Sequence, residues 1–381
     1  MKIDKVEILP ISIPYIKPTR TSRGGTGVGH HVIVRLFTDE GVTGVGESSA
    51  LGVTGEAKQK KIVAEVEKYL AQFVLGEDPF DIAKIMNHFE RDALGGDAES
   101  AVTATSSGCI GDALYDIMGK KCGVPVCKLL GGMVRKKIGV GRSLSIKSPE
   151  EVAEDAIKFK EIGYKLLTIK VGVDPDADIK RVAAVRKAVG DEFPLEVDAN
   201  QGYNPAIAVR TLRRMEEYNI LNVEQPCPAW DLDGMAEVAR AIDTPIIADE
   251  SVTSPSAVLE IIKRRAADII CLKPARDGGF YFSKKMAAAA ELADIGISLG
   301  SGHPFGVGAA TLHHFVASTP WANTPIGFGI PQERLVDDII TERIPMENGE
   351  VTVLEKPGLG VELDEKKVKQ YAAGPPIVIS R

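Results

Sequence analysis

The pattern of apolar and polar residues divides the sequence at about residue 125. Before that point, apolar residues alternate or cluster as they do in strands at 3–13, 31–38 and 42–47. Helical periodicity then follows near 56–74, 80–91 and 100–120. Strands followed by helices are typical of a small α+β domain, which we expect in this part of the chain.

From about residue 137 the pattern becomes an alternation of short apolar strands with helices. Eight strands are predicted, at 138–145, 166–171, 194–199, 222–225, 245–249, 269–273, 296–301 and 324–328. The clearest helix is 149–162, with Pro149 in its first turn and Gly163 at its end. Regularly spaced strands, each followed by a helix, predict a (β/α)8-type barrel of the α/β class. An open doubly wound sheet is the alternative, and it is disfavoured because no Gly-rich nucleotide fingerprint follows an early strand.

These patterns predict three segments. An N-terminal α+β capping domain spans 1–125 and carries substrate specificity loops, and a catalytic (β/α) barrel spans 126–340. The tail 341–381 includes a strand-like stretch and a Pro-Gly turn within 350–365. We expect this tail to return to the capping domain.

Composition limits the location and the partners of the protein. The chain of 381 residues has a net charge of −7 and no local basic stripe, which argues against nucleic acid as a partner. Five cysteines without a CxxC pair are typical of reduced thiols in a cytoplasmic protein. No apolar run is long enough to predict a membrane span. Because barrels of this size often assemble, we expect a homo-oligomer with no membrane partner.

Charged residues recur at the ends of five successive predicted strands, at Lys170, Asp198, Glu224, Asp249 and Lys273. Their separations of 28, 26, 25 and 24 residues follow the barrel repeat. Each position alone has a simpler explanation, since strand-end aspartates often cap the next helix and lysines often reach solvent. As a series they predict a shared site, because barrel enzymes place their chemistry at the C-terminal ends of the strands.

Three of these residues, the carboxylates Asp198, Glu224 and Asp249, would repel one another at close range unless a cation lay among them. Oxygen ligands without a His or Cys cluster suit a hard cation, so Mg²⁺ is the expected cofactor and Mn²⁺ the alternative. The lysines flank the carboxylates. We therefore expect Lys170 to point at a metal-bound small-molecule carboxylate from one face and Lys273 to approach it from the other.

The order of five motifs resembles the enolase superfamily, and within it the muconate lactonizing enzyme branch of the mandelate racemase/muconate lactonizing enzyme family. The motifs are TIKVG (168–172), VDANQGY (197–203), VEQP (223–226), IIADES (246–251) and CLKPARDGG (271–279). The resemblance covers nearly the whole chain. It implies Mg²⁺ ligation by the three carboxylates and acid–base roles for the two lysines. It also implies that Asn200, Gln225 and Glu250 support the metal shell or the lysines.

Two positions depart from the pattern of that branch. The branch usually has Lys-x-Lys on the second barrel strand, whereas the first position is Thr168 in this chain. Lys170 must then be tuned by burial, by Mg²⁺ and by Lys273. The glutamate that is usual near the end of the eighth strand is absent from 324–332. Both departures argue against a direct copy of muconate lactonization.

Three loops are candidates for contact with the substrate. His303, after the seventh predicted strand, is interpreted either as a substrate contact or as an ordinary loop histidine. The Gly-rich stretch 18–27, with Arg20 and Arg23, is interpreted either as a lid that reads the far end of the substrate or as a solvated hairpin. The loop 48–56 is a similar candidate for the specificity wall.

The expected reaction is removal of the proton α to a carboxylate, through an enediolate that a divalent cation stabilises. Two bases on opposite faces favour racemisation or epimerisation of an amino-acid derivative, dipeptide or lactone. Cycloisomerisation is a close alternative, and dehydration of a β-hydroxy carboxylate is a third. Two rivals belong to other classes: a Schiff-base aldolase that uses a lysine as nucleophile, and a non-catalytic carboxylate-binding barrel.

Overall fold

A long antiparallel hairpin dominates the N-terminal region of the computed structural model. The structure describes the whole chain except residues 51, 53, 96–102 and 328–329, and the side chains of 19, 20 and 90–95 are also outside the description. Strands β1 (Ile3–Thr21) and β2 (Gly24–Thr38) pair over most of their length, and β3 (Thr43–Ser49) pairs with β2. The hairpin is longer than predicted, because the stretch 18–27 forms its paired tip.

Helices of the N-terminal region cover one face of this sheet. They are α1 (Gly55–Glu65), α2 (Ala71–Val74), α3 (Ile82–Gly95), α4 (Ala104–Cys122) and α5 (Val126–Leu129), with a π-helical turn at Val66–Leu70 between the first two. Helix α4 packs directly on β3, where a Cβ at Gly44 or Gly46 would lie about 2 Å from a helix carbonyl oxygen. Glycine is therefore required for this close approach of sheet and helix.

Seven parallel strands form most of the barrel wall. After the short β4 (Lys137–Gly139) come β5 (Gly141–Leu144), β6 (Leu166–Lys170), β7 (Leu195–Asp198), β8 (Asn222–Glu224), β9 (Ile246–Ala248), β10 (Ile269–Leu272) and β11 (Gly296–Leu299). Strands β5 to β11 lie side by side in chain order. Ile326 makes parallel bridges to both Val140 and Leu299 and thereby closes the barrel. The open doubly wound sheet is excluded by this closure.

Helices follow the barrel strands as predicted in all but one case. They are α6 (Pro149–Ile162), α7 (Pro175–Val189), α8 (Pro205–Met215), α9 (Leu232–Ala241), α10 (Pro255–Arg264), α11 (Pro274–Asp277), α12 (Gly279–Leu292) and α13 (Gly306–Ala317). Helix α6 matches its predicted bounds, because Ser148 and Glu151 form a capping box and Gly163 ends the helix in a left-handed conformation. The prediction of a helix after the eighth strand was wrong. Between Ile326 and the tail, the described residues contain only a 3-10 turn (Pro331–Glu333).

The C-terminal tail contacts both regions of the molecule. Its elements are β12 (Met346–Glu347), β13 (Glu350–Thr352), α14 (Glu365–Gln370) and β14 (Ile377–Ser380). Strand β13 pairs with β4 beside the barrel, whereas β14 pairs with β1 of the N-terminal sheet. The described residues include no helix long and apolar enough to cross a bilayer.

Candidate active site

Sheet register brings the predicted site residues to one end of the barrel. Strands β6, β7 and β8 end at Lys170, Asp198 and Glu224, and the register aligns Lys170 with Asp198 and Asp198 with Glu224. Asp249 and Lys273 directly follow β9 and β10. The five strand-end residues therefore occupy neighbouring positions around the C-terminal mouth, where barrel enzymes carry out their chemistry.

The three carboxylates are buried, with exposures of 1% for Asp198, 9% for Glu224 and 2% for Asp249. The Lys170 ammonium donates to Asp198 Oδ2, and the Lys273 ammonium donates to Asp249 Oδ2. Glu224 lies between these two pairs. Burial, followed by the charges of Asp198 and Asp249, raises the pKa of Glu224 well above its usual range. A cation among these oxygens would relieve this concentration of negative charge.

The ligand atoms of Glu224, Asp249 and Cys271 lie within 4.8 Å of one another. Asp198 is not in that tight group, and its oxygens accept from the Lys170 ammonium and from the Asn200 N–H. Burial raises the pKa of the Cys271 thiol well above its ordinary value, so the thiol stays protonated and is a poor ligand. The ionisable oxygens are those of the carboxylates, and this donor set fits Mg²⁺.

Both lysines are held in their protonated form by the carboxylates. Burial opposes a charge on Lys170, but Asp198 and Glu224 outweigh burial and raise its pKa. Burial also opposes a charge on Lys273, and Asp249 in turn raises its pKa above the usual value. Strands β6 and β10 are separated by three strands in the sheet. In a barrel of eight segments this separation places the two lysines on opposite sides of the mouth.

Residues after the strand ends position the carboxylates. The side-chain carbonyl of Gln225 accepts from the Asp249 N–H at 2.8 Å, and Gln225 is fully buried. Asn200 donates through Nδ2 to Glu250 Oε1 at 3.3 Å. Asn200 and Gln225 both have positive φ angles, of 42° and 38°. Such strained backbone persists only where its surroundings fix it, as at functional sites.

Comparison with known proteins decides the family. The family model described as "Enolase C-terminal domain-like" matches residues 151–367, and the model of the "Mandelate racemase / muconate lactonizing enzyme, N-terminal domain" matches residues 5–131. The chain belongs to the mandelate racemase/muconate lactonizing enzyme family. Membership confirms the predicted fold and makes the protein a Mg²⁺-dependent isomerase of the enolase superfamily.

Relatives of several activities resemble the chain over almost its full length. The L-Ala-D/L-Glu epimerase of Clostridium acetobutylicum is 33% identical over 95% of this chain and 99% of the relative. The crystal structure of the N-succinyl Arg/Lys racemase from Bacillus cereus has a TM-score of 0.91 at 31% identity and covers 100% of both chains. A muconate cycloisomerase of Rhodococcus opacus is 31% identical over 97% of this chain and 98% of the relative. Racemases, epimerases and cycloisomerases are thus all represented.

Thr168, the departure from the expected Lys-x-Lys, has a buried partner. Its hydroxyl donates to Glu196 Oε1 at 3.1 Å. Both residues are buried, and each lies two positions before the end of its strand. Burial, followed by the charge of Asp198, raises the pKa of Glu196 to about 7. Sequence reasoning missed Glu196, although its spacing of two residues from Asp198 places both side chains on the same strand face.

Arg276 is a second residue that sequence reasoning missed. Its guanidinium donates to Asp249 Oδ1 at 2.6 Å and also to Asp277, whose Oδ2 accepts from the Lys273 N–H. Asp249 is thus held by two cations, whereas Asp198 is held by one. The signal was the charged pair Arg276-Asp277 within the motif 271–279, three and four residues after Lys273.

The hairpin tip covers the site. Ser22 Oγ donates to the carbonyls of Ala199 at 2.9 Å and Asn200 at 3.1 Å, and Arg23 lies 3.8 Å from Glu250. This contact favours the lid over the solvated hairpin for the stretch 18–27. The side chain of Arg20 is outside the described residues, as are residues 51 and 53 of the loop 48–56.

His303 is half-buried and lies among cationic side chains. The Arg334 guanidinium lies 2.7 Å from His303 Nε2, and the Tyr15 hydroxyl lies 3.5 Å from Nδ1. Burial, then Arg334, Lys170 and Lys273, lowers the pKa of His303 well below its usual value. The influence of Lys170 and Lys273 on His303 favours the substrate-contact interpretation over that of an ordinary loop histidine.

Proposed function

We propose that the protein racemises or epimerises an amino-acid derivative at the carbon α to a carboxylate, with Lys170 and Lys273 as the two bases. The observation that carries the proposal is the placement of two half-buried lysines on opposite sides of one carboxylate cluster. Two opposed bases remove a proton from one face and return one to the other. Inversion of configuration requires both operations.

The relatives support this choice of reaction. The names of several of them, among them the N-succinyl-L-Arg/Lys racemase of Bacillus cereus and the L-Ala-D/L-Glu epimerase of Bacillus subtilis, describe inversion at an amino-acid carbon. The dipeptide epimerase of Enterococcus faecalis was crystallised with Mg and the dipeptide L-Leu-L-Tyr, and its structure has a TM-score of 0.87 at 29% identity over 95% of this chain and 99% of that chain. We therefore propose N-acylated amino acids and dipeptides as the first substrates to test.

Asp198, Glu224 and Asp249 would hold Mg²⁺ in this proposal. Bound there, the ion supplies positive charge against the negative charge that grows on the substrate carboxylate as the α-proton leaves. Lys170 and Lys273 exchange the proton at Nζ, each oriented by its carboxylate neighbour. The hairpin tip at Ser22 covers the site and excludes water.

Cycloisomerisation is the second candidate, because muconate cycloisomerases are also among the relatives. It needs proton transfer on one face only. Dehydration of a β-hydroxy carboxylate has the same requirement. A single productive lysine would therefore favour either of these reactions over racemisation.

The test is exchange of the α-proton in D₂O, followed by NMR and by polarimetry. A panel of N-acyl amino acids, dipeptides, proline derivatives and lactones is incubated with enzyme and Mg²⁺. Racemisation with deuterium in both enantiomers supports the proposal. Exchange without inversion points to a one-base reaction, and absence of exchange across the panel would reject proton abstraction. Borohydride trapping of a covalent adduct would instead identify a Schiff-base aldolase.

We also propose a cytoplasmic location and a homo-oligomeric state. The five cysteines are all free, as expected in a reducing compartment. Trp230 is 83% exposed, which is unusual for a large aromatic side chain and typical of an interface residue. Light scattering during size-exclusion chromatography measures the assembly, and a monomeric mass would contradict this part of the proposal.

A further inference from the structure

Gly300 lies directly after β11, at the end of the barrel that carries the proposed active site. A Cβ added to Gly300 would lie 2.0 Å from Lys273 Cε, 2.8 Å from Lys273 Cγ and 2.9 Å from Cys271 Sγ. Carbon atoms in ordinary contact are about 3.5–4.0 Å apart. The stem of the Lys273 side chain therefore occupies the space that a side chain at position 300 would fill.

The backbone conformation of Gly300 does not itself require glycine. Its φ angle lies outside the left-handed region that favours this residue. Gly302, two positions later, has a φ of 68° and differs in this respect. The structural reason for a glycine at position 300 is therefore space, and Lys273 uses that space.

The backbone around Gly300 is held from both sides. The Gly300 N–H donates to the Leu272 carbonyl on β10 at 3.1 Å. On the other side, the Leu299 carbonyl accepts from the Gly327 N–H at 2.7 Å. A movement of this part of β11 away from Lys273 would strain or break these hydrogen bonds, so the strand end cannot easily make room for a side chain.

The backbone of Lys273 is also fixed. Its N–H donates to Asp277 Oδ2 at 2.6 Å, and its carbonyl accepts from the N–H groups of Arg276 at 2.8 Å and Asp277 at 2.9 Å. The side chain is only 14% exposed, and its ammonium donates to Asp249. The part of Lys273 that can yield is the flexible four-carbon stem between backbone and ammonium. Any group at position 300 would therefore change the path of that stem.

We propose that Gly300 is a positioning residue for Lys273, because its lack of a side chain leaves the path along which the lysine stem brings Nζ to the substrate. This inference rests on the proposed function, since it takes Lys273 as one of two bases. The three atoms nearest to the added Cβ belong to Lys273 and Cys271. Gly300 thus serves the base on one face of the substrate and not Lys170 on the other.

Gly300→Ala with Mg²⁺ tests the proposal through α-proton exchange in D₂O. The two enantiomers of the panel compound that the wild type exchanges fastest are assayed separately. The new methyl should displace Lys273 Cε by roughly 1.5 Å, the distance to an ordinary contact. Misplacement of a reacting group by about 1 Å can cost roughly 10²-fold in rate. Exchange of the enantiomer that Lys273 deprotonates should therefore fall roughly 10²-fold, with little change for the other enantiomer.

Gly327→Ala is the matched control, since it adds the same methyl to the neighbouring segment. Its Cβ would lie 3.5 Å from the Leu299 carbonyl oxygen and 4.0 Å from Gly300 Cα, which are ordinary contacts. This variant should exchange both enantiomers like the wild type. An equal loss for both enantiomers in Gly300→Ala would show a purely structural role and overturn the proposal. Failure of Gly300→Ala to fold, with Gly327→Ala folded, would overturn it in the same way.

Two double variants show which lysine Gly300 acts on. Lys170→Met retains Lys273 as its base, so its residual exchange identifies the affected enantiomer. Adding Gly300→Ala to Lys170→Met should lower that residual exchange by the same factor as in the wild type, because Lys273 is still displaced. Adding Gly300→Ala to Lys273→Met should change nothing. A further loss in the Lys273→Met background would overturn the proposal.

A measurement without turnover separates this inference from the proposed function. Crystal structures of wild type and Gly300→Ala with Mg²⁺ compare the position of Lys273 Nζ. A displaced Nζ with the end of β11 in place supports the positioning role even if no compound of the panel is exchanged. An unmoved Nζ, or a shift of β11 in its stead, would overturn it, while racemisation by the wild type would leave the proposed function standing.

Discussion

Two groups of buried carboxylates in this molecule differ in what surrounds them. At the barrel mouth, Asp198, Glu224 and Asp249 lie at neighbouring strand ends, and Asp198 and Asp249 accept from lysine and arginine side chains. At the junction of the N-terminal sheet with the barrel, the buried acids mainly accept from backbone N–H groups. This junction group consists of Glu47, Asp112, Asp116 and Asp338.

The junction acids each connect separate segments of backbone. Glu47 on β3 accepts from the Phe305 and Gly308 N–H groups, and thereby holds the start of α13. Asp116 on α4 accepts from Val45 and from Leu359 of the tail. These acids therefore join elements of the fold.

Burial alone does not distinguish a functional carboxylate from a structural one. The junction acids have fixed backbone donors, whereas the mouth acids have flexible cationic side chains and one another. A lysine that leaves a carboxylate frees an oxygen for a metal, but a backbone amide does not move away.

Glu224→Gln should have the largest effect. Removing the central charge of the mouth cluster weakens the binding of Mg²⁺ and should lower turnover by roughly 10⁴-fold or more, several kcal/mol of lost stabilisation. Calorimetric titration with Mg²⁺ and α-proton exchange measure the two losses. The control Glu237→Gln removes an exposed glutamate of α9 and should bind Mg²⁺ like the wild type. Unchanged affinity in Glu224→Gln would place the metal elsewhere.

Lys170→Met and Lys273→Met should each lower racemisation by roughly 10²- to 10⁴-fold, the usual contribution of a general base. Each variant keeps one base, so each should still exchange the α-proton of one enantiomer. Separate exchange assays with the L and D compounds measure this division. Lys165→Met, at an exposed position before β6, is the matched control. Full racemase activity in both site variants would contradict the assignment of the bases.

Asp112→Asn tests the junction group through the pH dependence of stability. Burial raises the pKa of Asp112 to about 8, far above that of an unfolded aspartate. The folded protein then keeps a proton that the unfolded chain releases above about pH 4. Stability from this group is complete below pH 4 and is lost as the pH rises toward 8. The asparagine variant should gain roughly 2–4 kcal/mol relative to the wild type between pH 5 and pH 8.

Urea unfolding of Asp112→Asn and wild type at the two pH values measures that gain. Asp112 Oδ1 accepts from the Phe280 N–H at 2.9 Å, and an asparagine carbonyl preserves this bond. Asp191→Asn, which changes an exposed aspartate, is the control for the loss of one carboxyl group. A constant difference between Asp112→Asn and wild type at pH 5 and pH 8 would show that the buried acid is ionised in the folded protein.

Thr168→Lys should have the smallest effect on activity, because the Glu196 carboxylate lies beside position 168 and would pair with the new ammonium. A lysine base acts in its neutral form, so the rate rises with pH through the pKa of Lys170. An added ammonium lowers that pKa and moves the limb toward acid, by up to about three units at 4 Å. Glu196 would neutralise much of the new charge, and the shift should stay below about one unit.

The double variant Thr168→Lys/Glu196→Gln sharpens this prediction. Without the carboxylate, the ammonium at position 168 acts fully on Lys170, and the limb should move further toward acid than in the single variant. The pH profile of kcat/KM measures both shifts. Coinciding profiles of the single and double variants would show that Glu196 does not compensate the charge. An unshifted profile in both would mean that Lys170 is not the base or is tuned by the metal and by burial.

The barrel and the positions of the five strand-end residues could be predicted from local sequence patterns. Strand periodicity and helix caps are local properties, so α6 begins and ends where Ser148 and Gly163 predict. The repeat of Lys170, Asp198, Glu224, Asp249 and Lys273 follows from the spacing of parallel strands, whose carboxyl ends meet at one rim. These features are readable because each depends on neighbours along the chain.

The interaction partners of the remaining charged side chains depend on the tertiary fold. Thr168 donates a hydrogen bond to Glu196 on the neighbouring strand. Arg276 donates to Asp249, which lies 27 residues earlier in the chain. Arg334 and His303 are in contact although they lie on different loops. The bridges from Ile326 to Val140 and Leu299, which close the barrel, likewise join segments that are far apart in the chain. Side-chain pairs of this kind depend on register, loop path and rotamer together, and none of these is encoded by the periodicity of one segment.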